Sequence, residues 1–201
     1  MKRCYLILIF LILICIGYAQ QIKVIGECTI TYSIKIANEP SDAIKILYIK
    51  GKKTCSEMVS PTFLQTTIYD EKSGEAVILR KLNGEKYLTK YSADKWKYIN
   101  KDWDGMTVKP TNESKTILGY LCKKVIATTK AGKNFVIYYT YSLVPSVSEN
   151  PYQFKNIPGI VLEYESETSE GKSIVFRATK INFSPVPAAK FEIPESGYRI
   201  L

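Results

Sequence analysis

The chain has 201 residues, with 28 lysines and arginines against 19 aspartates and glutamates and a formal net charge of +9 at pH 7. It contains no histidine, which excludes Ser/His/Asp triads, Cys/His dyads and His-ligated zinc or iron sites. The lysines are scattered among acidic residues without an arginine-rich block. The positive charge therefore predicts no nucleic-acid partner.

The first 19 residues have the pattern of a secretory signal peptide. Two basic residues precede an apolar run, Tyr5 to Ile16, which small residues follow. We expect cleavage between Ala19 and Gln20, because the apolar run is shorter than the roughly 20 residues of a membrane span. The predicted product is a single β-rich domain, residues 20–201, with no transmembrane segment, which is exported to the periplasm or secreted.

Alternation of apolar and polar residues predicts strands along most of the remaining chain. From Ile22 to Ile36 the apolar side chains lie on even positions, with a slip at Ile25-Gly26 that is typical of a β-bulge. Short runs rich in Ile, Val, Tyr, Phe and Thr follow, separated by turn signals. Asn83-Gly84 is the sharpest hairpin signal, because a type I′ turn needs a positive φ at both central residues.

One segment, Ser92 to Asn100, has a helical pattern instead. Ser92 is a candidate N-cap, Asp94 lies in the first turn, and Trp96 and Ile99 have i, i+3 spacing. We predict a short helix that lays Trp96 on the sheet. The runs predict about ten antiparallel strands. Since so many strands need protected edges, the expected fold is mainly β: a strongly curved antiparallel sheet or an open β-barrel with this helix as cover.

The sequence offers weak support for catalysis or for metal binding. Asn100, Asp102 and Asp104 precede Gly105 as in a calcium loop, but Thr111 occupies the position that requires a bidentate carboxylate. A polar turn after the helix is the better interpretation. Three glutamates alternate along one predicted strand, as on a solvated strand face: Glu163, Glu165 and Glu167. We assign no catalytic residue, no metal ligand and no cofactor.

Three cysteines follow the predicted signal peptide: Cys28, Cys55 and Cys122. In an oxidising compartment an odd number permits at most one internal disulfide and leaves a free thiol. The spacing leaves open which two of them pair, or whether all three stay free.

Two stretches resemble the GLPGLI family of bacterial exported proteins. The first is KTILGYLCKKVIATTK, Lys115 to Lys130, which is similar to the start of a strand in that family: Gly119, Tyr120, Cys122, Lys123 and Lys124. The second is VIYYTYSLVPSVSENPYQFKNIPGIVLEYE, which contains the name-giving motif: Asn156, Ile157, Pro158, Gly159, Ile160 and Val161. A third stretch, Tyr48 to Leu88, resembles a neighbouring secreted domain of unknown function.

The resemblance covers most of the chain after the signal peptide, and it implies a strongly curved sheet similar to that of the lipoprotein carrier LolA. It brings no catalytic residue and no cofactor. The first glycine of the motif is replaced by Asn156, whereas the Pro158-Gly159 pair remains. This pair predicts an architectural turn in which Pro158 fixes φ and Gly159 takes a positive φ, with the mouth of an apolar groove as the alternative.

Two functions agree with these features. The first is a non-enzymatic exported envelope protein that holds an apolar ligand in its curved sheet: a lipid, an acyl chain or the lipidated end of an envelope protein. The second is a structural or protein-interaction module of the cell envelope with a core filled by side chains. A stable pocket favours the first function, and a solid core with an exposed edge favours the second.

Overall fold

A computed structural model describes residues 22–168 and 170–201, so the predicted signal peptide and its cleavage site at Ala19 and Gln20 lie outside the described residues. The strands are β1 Lys23–Ile25, β2 Glu27–Ile36, β3 Ile44–Lys50, β4 Lys53–Val59, β5 Phe63–Asp70, β6 Ala76–Leu82, β7 Glu85–Tyr91, β8 Thr107–Ile117, β9 Tyr120–Thr128, β10 Asn134–Thr140, β11 Leu143–Pro145, β12 Ile160–Glu167, β13 Ser173–Asn182 and β14 Arg199–Ile200. Helix α1 is Ala93–Ile99, and a 3-10 helix spans Ala188–Phe191. Within this part of the chain, no helix has both the length and the apolar character to cross a membrane.

Twelve of the strands form one curved sheet that does not close on itself. Its order is β14-β7-β6-β5-β4-β3-β2-β13-β12-β10-β9-β8, and neighbours are antiparallel apart from the parallel pair β14-β7. Strands β1 and β11 pair separately in parallel. The mainly β, curved and antiparallel fold predicted from the sequence is confirmed. The expected number of strands was lower because β1, β11 and β14 have only three, three and two residues, too few to show alternation.

Strand β2 shows how alternation builds the sheet. Its even-numbered side chains are buried in the core: Cys28, Ile30, Tyr32 and Ile34. We call the side of the sheet on which they lie the inner face. The chain breaks its register at Gly26, so that Ile25 of β1 is buried while Val24 is exposed. The predicted slip at Ile25-Gly26 therefore separates two strands.

Two local predictions are confirmed by the backbone. Asn83 and Gly84 have φ values of 50° and 86°, as a type I′ hairpin between β6 and β7 requires. Ser92 caps helix α1, since its side chain accepts a hydrogen bond from the backbone N of Lys95 at 3.4 Å. The helix buries Trp96 against three residues of β5 and β6: Tyr69, Ala76 and Ile78.

Two segments cover the two faces of the sheet. Residues 146–158, which we call the crossing segment, connect β11 to β12 and contribute Val147 and Phe154 to the main core on the inner face. The C-terminal residues 183–201 cover the other face, where Val186 packs with side chains of β3, β4 and β5: Tyr48, Cys55 and Ile68. The crossing segment ends at Pro158, directly before Gly159, and thereby places the sequence motif against the core.

Candidate functional site

Hydrogen bonds hold the crossing segment in place. At its start, Ser146 donates from its backbone N to Ile25 O at 2.8 Å and from Oγ to Gly51 O at 2.6 Å. Further along, Asn150 Oδ1 accepts a hydrogen bond from the backbone N of Gln153 at 3.0 Å. The segment is therefore an integral part of the fold, and the residues that follow it have a defined place.

A buried ion pair joins the crossing segment to the sheet. Lys45 of β3 is only 4% exposed, and its ammonium group pairs with the carboxylate of Glu149. Lys45 Nζ also donates a hydrogen bond to Tyr164 Oη at 2.7 Å. The lysine lies in the same row of β3 as the buried residues Leu47 and Ile49. Because a buried charge is costly without a partner, this lysine makes the position of the crossing segment specific.

Aromatic rings surround the ammonium group of Lys45. Its Nζ lies 5.3, 5.0 and 5.4 Å from the ring centroids of Tyr32, Tyr164 and Phe176. Phe154 of the crossing segment meets Tyr164 edge-on, with 5.1 Å between the centroids. Burial raises the pKa of Tyr32 and of Tyr164 well above the ordinary tyrosine value, so both hydroxyls stay protonated. The inner face of the sheet is thus filled by side chains at this point.

The cavity that remains beneath the crossing segment is small. It has a volume of about 40 Å³ and lies between Leu47 and Ile49 of β3, Val147 and Phe154 of the crossing segment, and Gly159. A water molecule requires roughly 10–15 Å³ on the same measure. Pockets for small organic ligands have volumes of about 300–1,000 Å³. The cavity therefore has room for a few water molecules and none for an acyl chain.

A larger open groove lies on the other side of the motif, with a volume of about 370 Å³. We call it the motif groove. The sheet and the turn after β10 provide five lining residues: Val108, Pro110, Val125, Tyr139 and Tyr141. The crossing segment provides three more: Asn156, Ile157 and Pro158. The lining side chains are apolar or aromatic apart from Asn156, and polar atoms form a substantial part of the surface of the groove, so it suits a ligand with both an apolar and a polar part.

The two tyrosines of the motif groove form a pair. Their ring centroids are 4.9 Å apart in a T-shaped arrangement, and Tyr139 Oη donates a hydrogen bond to Tyr141 Oη at 2.5 Å. Tyr139 is buried, and burial raises its pKa above the ordinary tyrosine value. Tyr141 is 48% exposed and forms the rim. The pair thus gives the groove an apolar floor and a polar edge.

Gly159 differs from its predicted role. Its φ is not positive, so the expectation that it provides a left-handed turn is wrong. A Cβ atom at this position would instead lie 2.0 Å from Thr140 O and 3.3 Å from Leu143 O. The chain passes so close to the backbone at the end of β10 that no side chain fits. Gly159 is required for close packing at the point where Ile160 pairs with Thr140.

The other family-like stretch lies at the hairpin between β8 and β9. Leu118 and Gly119 have φ values of 51° and 82°, so here the glycine does provide the positive φ. Four residues of the predicted strand start follow on β9: Tyr120, Cys122, Lys123 and Lys124. The side chains of Lys123 and Lys124 point to opposite faces of the sheet, since successive residues of a strand alternate.

The three cysteines are free thiols in the structure, and each is completely buried: Cys28, Cys55 and Cys122. Burial raises the pKa of Cys28 to about 11, of Cys55 to about 12 and of Cys122 to about 11. Of the two alternatives that the sequence left open, the structure supports free thiols. The lysines beside Cys122 do not make it a reactive thiolate.

We therefore expect the three cysteines to resist iodoacetamide in the native protein at about pH 8 and to react in denaturant, since the thiolate is the reactive form. Peptide mapping by mass spectrometry after alkylation measures this at each site. Rapid native labelling of Cys122, or a disulfide-linked pair of peptides, would contradict the prediction.

Glu163 is buried, whereas the sequence predicted that it lies on a solvent-exposed strand face. It is 7% exposed, and its carboxylate accepts hydrogen bonds from Lys115 Nζ at 2.6 Å and Arg177 Nε at 2.5 Å. These long basic side chains lie over the glutamate on the outer face of β8, β12 and β13. Alternation placed Glu163 on the correct face, but it could not show that the face is covered.

Solved structures resemble this chain, although no protein-family model and no curated protein sequence matches it. PNGF-II, in a C2 crystal form, matches with a TM-score of 0.51 and 19% identity, over 87% of this chain and 30% of PNGF-II. An uncharacterized conserved protein from Thermus thermophilus matches with a TM-score of 0.52 and 9% identity, over 86% and 89% of the two chains. A LolA superfamily protein from Nitrosomonas europaea matches with a TM-score of 0.33 and 8% identity, over 88% and 92%.

These similarities concern the fold. The chain spans only 30% of the length of PNGF-II, and the Thermus protein is 9% identical to this chain. At such identities a common backbone does not transfer a function. The function therefore has to be argued from the motif groove and the crossing segment.

Proposed function

We propose that this chain is an exported, non-enzymatic envelope protein of the GLPGLI family that binds an apolar ligand, such as a lipid or an acyl chain, in the motif groove. The observation that carries the proposal is the groove itself. Its volume of about 370 Å³ falls in the range of small-molecule sites. One of its walls consists of motif residues: Asn156, Ile157 and Pro158.

The position of the ligand differs from the one first expected. The middle of the curved sheet does not hold the ligand, because the crossing segment and the rings around Lys45 fill the inner face there and leave about 40 Å³. The groove is open at one side, so a chain-like molecule can lie along Tyr141 and Ile157 without disturbing the core. The turn at Pro158-Gly159 is both architectural and the wall of a binding site.

Export and the lack of enzymatic activity belong to the same proposal. The N-terminal sequence supports export through its basic start, apolar run and small residues before the expected cleavage site. The absence of histidine and the uncharged lining of the groove support binding rather than catalysis. The partner would then be a lipid, or an envelope protein with a lipidated end.

A second candidate function is a protein-interaction module of the cell envelope. The filled inner face beneath the crossing segment favours it, and so does strand β8, which ends the sheet in the described part of the chain and has an unpaired edge there from Thr107 to Ile117. Such an edge can accept a strand from another protein. Pro110 and the irregular register that follows it interrupt this edge, so an added strand would be short.

Native mass spectrometry of the protein from its own exported fraction, followed by organic extraction, tests the proposal. We expect one bound molecule with the mass of a lipid or an acyl chain. In a direct titration with dodecan-1-ol, Tyr141→Ser should weaken binding by roughly tenfold, because the rim loses an aromatic ring.

Tyr98→Ser is the matched control, since Tyr98 is 59% exposed on α1 and does not line the groove. It should bind dodecan-1-ol as the unaltered protein does. If native mass spectrometry gives the mass of the protein alone and dodecan-1-ol does not bind, the apolar ligand is rejected and the protein-interaction module is favoured.

A further inference from the structure

One lysine of the strand start lies beside the motif groove. Lys123 of β9 is the register partner of Tyr139 on β10, and Tyr139 lines the groove. Register partners in an antiparallel pair lie on the same face, with Cβ atoms about 4.5–5.5 Å apart. The exposed side chain of Lys123 therefore starts at the edge of the groove floor.

Lys123 differs from two neighbouring lysines, Lys115 and Lys124, because its charge is not compensated. Lys124 pairs with Glu113 at 2.8 Å, and Lys115 pairs with Glu163 at 2.6 Å. Among the described residues, Lys123 has no carboxylate within 4.0 Å. The residues that line the groove are all uncharged. A free positive charge thus stands at the rim of an apolar site.

We propose that the motif groove selects a single-chain amphiphile with an anionic head, a long-chain carboxylate, and that Lys123 binds the carboxylate. This inference rests on the proposed function and names the ligand class for the same groove. A volume of about 370 Å³ lies near the lower end of the range for ligand sites, which favours one acyl chain over a lipid with two.

In this geometry the apolar chain and the carboxylate of the ligand make different contacts. The chain packs on Tyr141, Ile157 and Pro158, where water is displaced from apolar surface. The carboxylate lies at the ammonium group of Lys123, which offers three hydrogen-bond donors on a flexible stem. The hydroxyl of Tyr141 at the same rim provides a further polar contact.

Calorimetric titration of the full chain with dodecanoate and with dodecan-1-ol, both below micelle formation, tests this division. Lys123→Gln should weaken dodecanoate binding by roughly three- to fivefold, the effect of one exposed ion pair, and Lys123→Glu should weaken it further. Both variants should bind dodecan-1-ol unchanged. Added salt should reduce the difference in dodecanoate affinity between the unaltered protein and Lys123→Gln.

Lys109→Gln is the matched control. Lys109 is an exposed lysine next to the groove residue Val108, and alternation along β8 points its side chain to the opposite face. It should leave both affinities unchanged. If dodecanoate binding does not depend on Lys123 while dodecan-1-ol still binds, the anionic class is rejected and the groove function stands. If neither probe binds the unaltered protein, both proposals are rejected.

Discussion

Gly159→Ala is expected to lower the free energy of unfolding by about 3 kcal/mol, which is the upper range for overpacking a rigid site. The added Cβ would lie 2.0 Å from Thr140 O and 2.9 Å from Thr140 C. Both are backbone atoms at the end of β10, so the contact cannot be relieved by rotating a side chain. Either the pairing of Ile160 with Thr140 must open or the crossing segment must shift. Urea denaturation measures the loss, and Gly159→Val should be worse than Gly159→Ala.

Gly26→Ala is the control for the cost of replacing a glycine. Among the described residues, no atom beyond its chain neighbours lies within 4 Å of a Cβ at Gly26, and its φ is not positive. This variant should be neutral or slightly stabilising, by up to about 1 kcal/mol. A loss at Gly159 no larger than at Gly26 would contradict the steric explanation.

Substitution by asparagine distinguishes the two reasons for which a position can require glycine: a positive φ, or a lack of space for a Cβ atom. Gly119 has a φ of 82° and open space around a Cβ, so Gly119→Asn should be tolerated well, because asparagine adopts the left-handed conformation more readily than most residues. Gly159→Asn should instead be at least as harmful as Gly159→Ala. If Asn were tolerated at Gly159 better than Ala, backbone conformation and not contact would be the cause.

The features that could be predicted from the sequence are those with a local cause. The turn at Asn83-Gly84 depends on the conformational freedom of two adjacent residues. The start of α1 depends on the Ser92 side chain and a backbone N three residues later. The core row of β2 follows from alternation within one strand. Each of these signals lies within a few residues, so the strands, their hairpins and the covering helix could be predicted locally, whereas the curvature was predicted from the need to protect strand edges and from the family resemblance.

The candidate site has a different origin, because distant segments build it. Residues 108–110, 139–141 and 156–158 are far apart in the sequence and meet only in the folded sheet. The sequence showed that Pro158-Gly159 interrupts an apolar run, but not that Thr140 lies against Gly159. The reason for the glycine was therefore predicted wrongly, although the glycine itself was singled out.

A lysine within an apolar row of the sequence is a sign of the buried ion pair. In the run AIKILYIK, Lys45 shares a strand face with Leu47 and Ile49, so a charge stands in an apolar row. Such a lysine predicts a buried partner. The partner, Glu149, is 104 residues away along the chain, and local patterns could not identify it.

Lys45→Met is the second variant for which we expect a large effect, a loss of about 3 kcal/mol in the free energy of unfolding. The substitution removes the ammonium group and leaves the Glu149 carboxylate, whose side chain is only 14% exposed, without its cation. Tyr164 Oη loses a donor at the same time. Urea denaturation of Lys45→Met, Glu149→Gln and the double variant forms a cycle. The double variant should recover most of the loss, since no uncompensated charge remains.

Lys53→Met provides the matched control for that cycle. Lys53 and Asp70 form an ion pair at 3.3 Å away from the crossing segment, and the lysine side chain is half exposed, so its loss should cost less than about 1 kcal/mol. A similarly small loss at Lys45 would show that the crossing segment does not depend on its buried pair. A large loss of unfolding free energy in Lys45→Met that the double variant recovers would mean that the pair adds little net stability. Its main effect would then be to select this position of the crossing segment over others. The wall of the motif groove follows Glu149 in the same segment, so Lys45→Met should also weaken binding of dodecan-1-ol, and the double variant should restore it.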